Sequence, residues 1–535
     1  MSRTTAAIVA LTTAALTLSA CGSGSGGSST AAGGNGDLTP SGSDRCTEEH
    51  VGGTITMGEY VMLPTFMPGQ GQSGVRGGAE SAAIYDRLMR WNPEEEEFEP
   101  KLAESLEPDA DNTVWTLTLP EDVRFSNGDP LTADDVAFTI DLHKDPATTS
   151  MAMTQARMIE QSRVVDPHTV EFTLAQPWAG FPSVLAGTVG EVIPRDAFEA
   201  TDPDEWARNP IGAGAFTLAR YTPDQEVVLE PNPDYHGGVV CPSLRFIRIP
   251  GSQGTLDAFQ TGEIQAGFLR GSQFITDAKD HGFQGFHTII SSGSIINMNS
   301  GAAGYDGILT DERARQAVGH ALDRELIDQR LSGGTGQPTS ALLAESSRFY
   351  DGQQGPAYDT SAATALVEEL KAENPDWDGS LTLLITDGPE NVEAGVVTKA
   401  LLDAAGFDVT IENSPISQVT ARQFTGDYEI VIGGLDTSEA DPASTFYSAM
   451  IPGGATNLTG IDDPELVAAA TEAMSATDPD AQKKAFTHLQ EVHNRVLPFT
   501  VVGNSEEYVL ISDEVKGVQP TITSTMLFDG AYVEE

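Results

Sequence analysis

Few residues in this chain are spaced for covalent chemistry. The sequence holds no G-x-S-x-G, no H-E-x-x-H and no Cys/His dyad in a suitable context, and its scattered carboxylates define no acid and base pair. His488 and His493 stand five apart on one predicted helix, so they leave it on different faces, and no other His or Cys supports a metal there. The acid run Glu94 to Glu97 beside Pro93 reads as a solvated loop, because adjacent loop residues point apart. Gly69, Gly71 and Gly74 make a G-x-G-x-x-G, but it begins about ten residues past the preceding predicted strand instead of directly after it. A loop over a ligand cleft fits that spacing better than a nucleotide site. No catalytic residue, metal or cofactor is therefore expected. What remains is binding chemistry. Gly433-Gly434-Leu435-Asp436-Thr437 sets bare backbone groups beside a carboxylate, although Asp436 serves equally well as a turn or helix cap.

The surrounding periodicity says what must hold that segment. Leu381 to Ile385 reads as a strand, and Glu390 to Ala405 as a helix with Val396, Val397, Ala400, Leu401 and Ala404 along one stripe. Gly406 ends that helix at a left-handed position. Strand Val409 to Ile411, helix Ile416 to Phe424 and strand Tyr428 to Gly433 follow with short connections. Such alternation gives a parallel sheet with right-handed crossovers, and ligands sit at the carboxyl ends of its strands. Those ends are Thr386-Asp387 and the segment after Gly433.

Other stretches are equally legible. Thr113 to Leu119 alternates as a half-buried strand, with Trp115, Leu117 and Leu119 on one face. Val123 to Phe125 reads as a short strand closed by Asn127-Gly128, and Thr132 with Asp135 caps a helix bearing Val136, Ala137 and Ile140. Ala79 to Arg90 and Asp480 to Arg495 read as helices. Leu244 to Ile249, Ser252 to Thr261 and Ile264 to Phe268 make a strand, helix and strand unit.

Composition bounds the partners. Lys and Arg number 29 against 79 Asp and Glu, a net charge of −50, which excludes nucleic acid as a partner. The reading we prefer is a heavily solvated surface suited to a salty medium; the alternative is a field that favours cationic ligands, screened beyond a Debye length. Arg3, the apolar run Ala6 to Leu18 and Leu18-Ser19-Ala20-Cys21 read as an export signal resembling a bacterial lipobox, with lipid on Cys21. Gly22 to Gly36 then reads as a flexible tether.

The stretch Leu102 to Leu142 resembles the signature of the family 5 extracellular solute-binding proteins of ABC importers, the oligopeptide, dipeptide and nickel type. It departs at Leu106, where Trp is usual, and at Asn127, where Asp is usual. Asn209-Pro210-Ile211-Gly212, Asn232-Pro233-Asp234-Tyr235, Asp311 to Ala317 and Leu497-Pro498 are similar to further family motifs. The resemblance implies an α/β, two-lobed, periplasmic-binding-protein-like fold of type II with an extra inserted subdomain, its mixed and parallel sheets flanked by helices. It divides the chain into a signal peptide (1–20), a lipidated tether (21–45), lobe I (46–91, 210–293 and 501–535), an inserted subdomain of lobe I (92–209) and lobe II (294–500).

The function so implied is capture of a small solute, a short peptide by preference, through lobe closure and delivery to an ABC permease from a monomer anchored on the outer face of the cell membrane. Few tryptophans are free to form the stacked platform of many sugar binders. An exported hydrolase-like enzyme and a solute-sensing receptor are the competing readings. Tyr60, Phe66, Asn297, Thr386, Gly434, Leu435 and Asp436 are expected to line the ligand, with Arg422 bracing their loop. In peptide-binding relatives an Asp four residues before a Pro takes the ligand amine; here Ser438 stands four before Pro442 and Asp436 six before, a departure that a bulge could absorb. Family neighbours of the strands after Cys46 and Cys241 imply a Cys46–Cys241 disulfide.

Overall fold

One strand pair carries the architecture. In a computed structural model, which describes Leu38, residues 45–69 and residues 78–534, ten strands build the main sheet. They are β1 (Thr54–Glu59), β2 (Phe216–Thr222), β3 (Glu226–Pro231), β4 (Ser243–Arg248), β5 (Ala266–Arg270), β6 (Gly285–Met298), β7 (Ser380–Thr386), β8 (Asp408–Ser414), β9 (Ile430–Gly433) and β10 (Phe499–Ile511). Their order is β8-β7-β9-β6-β10-β5-β1-β4-β3-β2, with Gln337–Pro338 added to β10 as an eleventh strand. The expected leader, the expected lipidation site Cys21, the expected tether before Leu38, and Gly71 and Gly74 of the glycine motif lie outside the described residues.

β6 and β10 are long enough to serve both ends of the sheet. In β10 the apolar runs Phe499–Val502 and Tyr508–Ile511 flank a polar middle, Gly503 to Glu507, so each end enters a different core. The antiparallel pairing of β6 with β10 loses register between Ile290 and Ile295, where Ser292 takes a φ of +52°. That bulge is an extra-residue kink that re-aims what it carries.

On one side, β1 pairs in parallel with β4 and β5, and Ile55, Met57, Leu244, Phe246 and Phe268 pack one core. The Cys46–Cys241 bridge joins the approaches to β1 and β4, whose first residues Thr54 and Ser243 are partners, across a Cα separation of 5.9 Å. On the other side, β7 pairs in parallel with both β8 and β9. Leu381, Leu383, Val409 and Ile430 from the strands and Leu402 from the helix Pro389–Ala404 fill its core. Truncating a fully buried leucine such as Leu383 to alanine costs about 3 kcal/mol.

After the earlier helices α1 (Gly78–Tyr85) and α2 (Ala133–Lys144), the helices flanking this second side are α3 (Pro389–Ala404), α4 (Ile416–Thr425), α5 (Pro442–Met450) and α6 (Pro479–Val496). Residues 92–209 form a separate four-stranded sheet, Ser105–Pro108, Val114–Thr118, Thr169–Leu174 and Ile159–Asp166 in spatial order. Trp115 and Leu117 are buried as the alternation requires, and the amide of Thr132 donates to Asp135 Oδ2 at 2.9 Å to cap the helix Ala133–Lys144. The core of this segment does not stop at its boundary: Trp115, Phe172 and Trp178 share one cluster with Phe446, Leu466, Phe486 and Phe499.

Two local expectations need correction. The helix expected over Ala79 to Arg90 is Gly78–Tyr85 only. Asp86 breaks it at a φ of +62°, Arg87 is drawn into a buried pair with Glu191, and Met89–Asn92 becomes a strand against Glu97–Pro100. The acid run is thus the turn of a hairpin, with Asn92 Oδ1 accepting from the amides of Glu94 and Glu95. At Val123 to Phe125 only an isolated bridge, Arg124 to Pro130, forms.

Candidate functional site

The loop after β9 is tied to the bulge of β6. The amide of Leu435 donates to the Ser292 carbonyl at 3.0 Å, and Ser291 and Thr437 exchange backbone hydrogen bonds of 3.2 and 3.0 Å. Gly434 is required by contact: a Cβ there would stand 2.6 Å from the Gly293 carbonyl oxygen. The bulge is braced in turn by Ser292 Oγ donating to the Leu342 carbonyl at 2.7 Å and by the Ala344 amide donating to Ser291 Oγ at 2.9 Å. These ties hold Asp436 at a φ of +50°, a backbone conformation L residues other than Asn and Asp seldom adopt.

Asp436 faces a cavity of about 270 Å³. Its walls come from three regions far apart in sequence: Met151 to Gln155 and Trp178 to Val189, then Asp436 to Thr445, then Ile522 and Thr523. A second cavity of about 360 Å³ shares Ser438, Ile522 and Thr523 with the first, and adds Trp91, Glu94, Glu96, Phe286 to Ile289 and Glu439. Each falls at or near the lower end of the volumes that hold small ligands, and together they form one cleft.

The polar groups of the cleft differ in how fully they are engaged. Asp441 is buried, accepts from Trp178 Nε1 and Ser183 Oγ, each at 3.0 Å, and caps α5 through the Ser444 amide. Burial raises its carboxyl above the ordinary range, with those donors opposing. Glu439 accepts from the amide of Arg348 at 3.0 Å, and its carboxyl too is raised by burial. Asp436 is open to solvent on the cavity side; the protein packed around it raises its carboxyl above the ordinary range, partly offset by the field of Arg270, and among the described residues it has no hydrogen-bond partner. A carboxylate so placed is free to take a guest's donor.

Of the residues expected to line a ligand, Asp436 lies on the cavity wall. Gly434 and Leu435 position it from behind. Tyr60 is exposed just past β1, and Phe66 is buried in the first core, its ring 5.3 Å from that of Tyr221 and its carbonyl accepting from Tyr85. Asn297 is buried within β6 between Val431 and Phe499, and Thr386 ends β7 beside Ser414. These four, like Gly434 and Leu435, do not line either cavity. Arg422 braces other segments, pairing with Glu412 at 2.8 Å and Asp427 at 3.1 Å. Sequence reasoning missed Trp178, Ser183 and Asp441. The one local signal was Asp441-Pro442 at a helix start, which marks a cap but not its partners.

A family model described as "Bacterial extracellular solute-binding proteins, family 5 Middle" matches residues 97–457, well over half of the chain. The chain belongs to that family. This family 5 solute-binding protein is 24% identical over 485 residues to a putative ABC transporter peptide-binding protein of Brucella ovis, covering 87% of this chain and 90% of the relative. Among solved structures, DppA of Helicobacter pylori in complex with the peptide STSA is similar with a TM-score of 0.72 at 21% identity, covering 91% of this chain and 99% of that one. NikZ of Campylobacter jejuni in complex with Ni(L-His) is similar with a TM-score of 0.69 at 18% identity, over 90% and 99%. The two-lobed α/β class expected from the resemblance is the one the solute-binding protein has. Its place is extracytoplasmic and its activity is solute binding, not turnover. Among the described residues no helix is long and apolar enough to cross a membrane, and no group of three or more His, Cys, Asp or Glu is arranged for a metal ion.

Proposed function

We propose that this solute-binding protein captures a short peptide in the cleft beside Asp436 and presents it to the permease of an ABC importer. The observation that carries the reading is Asp436 itself. Among the described residues it is a carboxylate without a hydrogen-bond partner, held in a fixed backbone conformation by the β6 bulge, on the wall of a cavity of about 270 Å³. A peptide amine there forms a charge-assisted hydrogen bond, and the hydroxyls of Ser438 and Thr445 supply further partners. The name of the Brucella ovis relative and the STSA complex of the Helicobacter pylori protein support a peptide guest.

In this reading the chain has the lobes and inserted subdomain set out from the sequence, and the β6 and β10 crossovers serve as the hinge. Rotation about the bulge at Ser291 to Gly293 opens the cleft, and guest contacts from both sides shift the population toward the closed form. The chain acts as a monomer, and a lipid on Cys21 holds it at the outer face of the membrane. Mass spectrometry of solutes released by denaturing freshly purified chain tests the guest. Short peptides are expected, whereas a sugar or a metal chelate in their place would overturn the peptide reading.

A further inference from the structure

Resting on that reading, we infer that the smaller cavity seats the first side chain of the peptide and selects guests that begin with a neutral aliphatic residue. Chain chemistry fixes the register. With the amine on Asp436, the first side chain branches from the adjoining carbon, so it falls within the same cavity of about 270 Å³. The rest of the guest leaves past Ser438, Ile522 and Thr523, which line both cavities, and enters the larger one.

Much of the surface waiting there is apolar. Trp178, Val184 and Val189 line the cavity while belonging to the large core, each at most 4% exposed, so this part of the wall is formed before a guest arrives. Ala152 and Ile522 are half-buried on the same wall. Met151 is 58% exposed beside them, and its unbranched thioether chain can mould itself to a guest. The Met151 amide donates to the Gly69 carbonyl at 2.9 Å and the Ala152 amide to Ser150 Oγ at 3.2 Å, which fixes the backbone of this lip.

Several of the polar neighbours are engaged within the protein. Ser183 Oγ donates to Asp441 Oδ2, Ser444 Oγ to the Asp441 carbonyl at 3.2 Å, and Thr523 Oγ1 to the Ile522 carbonyl at 2.7 Å. Among the described residues no Lys, Arg or His lines this cavity, so a first side chain ending in a carboxylate meets Asp436 and Asp441 with no counter-charge. A lysine end gives up its water beside a second carboxylate, Asp441, that Trp178 and Ser183 already hold. A leucine end exchanges water for contacts with methyl and methylene groups.

The test is calorimetric titration of the full chain with Leu-Ala-Ala, Gly-Ala-Ala, Lys-Ala-Ala, Asp-Ala-Ala and Ala-Leu-Ala. Leu-Ala-Ala is expected to bind about tenfold more tightly than Gly-Ala-Ala, and more tightly than the other three. Met151→Ser, which removes the exposed lip, and Ala152→Leu, which fills the pocket, are each expected to shrink the leucine-to-glycine ratio to about threefold or below. Thermal melts check that both variants fold, and the exposed position of Met151 keeps the test open if Ala152→Leu does not. A ratio near one, tighter binding by the lysine, aspartate or Ala-Leu-Ala peptide, or a ratio untouched by Met151→Ser overturns the inference while sparing the peptide reading. Failure of all five peptides to bind overturns the peptide reading and this inference with it.

Discussion

Trp178 Nε1 donates a 3.0 Å hydrogen bond to Asp441 Oδ2 across 263 residues of sequence, and Ser183 Oγ donates to the same oxygen. The carboxylate that starts α5 is thereby the point at which the 92–209 segment grips the other side of the cleft. The fit is close: a Cβ on Gly180 would stand 2.5 Å from Asp441 Cγ.

Replacing Asp441 with alanine removes a helix cap and leaves the Trp178 N–H buried without an acceptor. A loss of about 2 to 4 kcal/mol is expected, the sum of a cap and an unsatisfied donor. Denaturant unfolding measures it, and a shift in tryptophan emission reports whether Trp178 has been released. A cost well under 1 kcal/mol would mean the contact does not hold the two sides together.

Glu59 and Glu80 form a pair of fully buried carboxyls at the end of β1 and in the first turn of Gly78–Tyr85, with three of their four oxygens unbonded. Burial raises both, Glu80 to about 7, and for Glu59 the neighbouring Glu80 charge raises it further. Because the folded protein holds these protons more tightly than the unfolded chain, their stabilising share is complete below the ordinary value of 4.5 and is lost as pH rises through about 7. Thermal melts of Glu80→Gln between pH 4.5 and 8 are expected to show a flatter profile and a gain of roughly 2 kcal/mol at the alkaline end. An unchanged slope would contradict the account of the pair.

His493 gives the opposite slope. It is buried in α6 with its ring 4.6 Å from that of Phe499 and neither nitrogen satisfied, and burial holds it down at about 4. Folding is favoured by the neutral ring, so this share of stability is complete above 6.5 and lost as pH falls through about 4. His493→Leu is expected to make the chain more resistant to acid by about 2 kcal/mol, read from unfolding at pH 4. A variant that unfolds at the same acid pH as the parent would show that His493 carries none of this linkage.

The Cys46–Cys241 bridge closes a loop with a sequence separation of 195. Reduction is expected to lower stability by about 3 to 5 kcal/mol through the freedom returned to the unfolded chain. Melts with and without reductant measure it, with a Cys46→Ser, Cys241→Ser double variant as the control that should no longer respond. Identical melts in both conditions would remove the bridge as a staple.

What the sequence showed depended on range. The alternation from Leu381 to Gly433 names every strand and helix of the parallel unit, because burial on a strand or helix face prints itself at a fixed local period. Thr132 with Asp135 and the φ of +100° at Gly406 were equally local and equally legible. The cleft was not. Its walls come from three separate stretches, and the β6 bulge that aims Asp436 is a property of a pair of strands, not of either one. Phe66 illustrates the limit: an aromatic after the first strand fits a ligand wall or a core, and only the packing against Tyr221 and the Tyr85 hydroxyl decides. The helix over Ala79 to Arg90 failed for a related reason, since the pull of Glu191 on Arg87 acts across 104 residues.

The central claim is that a peptide is held intact between the Asp436 loop and the Trp178 wall. A crystal structure of the chain grown with its co-purified guest tests this most directly. The account predicts an unbroken peptide enclosed in the two joined cavities with its amine on Asp436. A guest bound elsewhere on the surface, or one found cleaved, would contradict it.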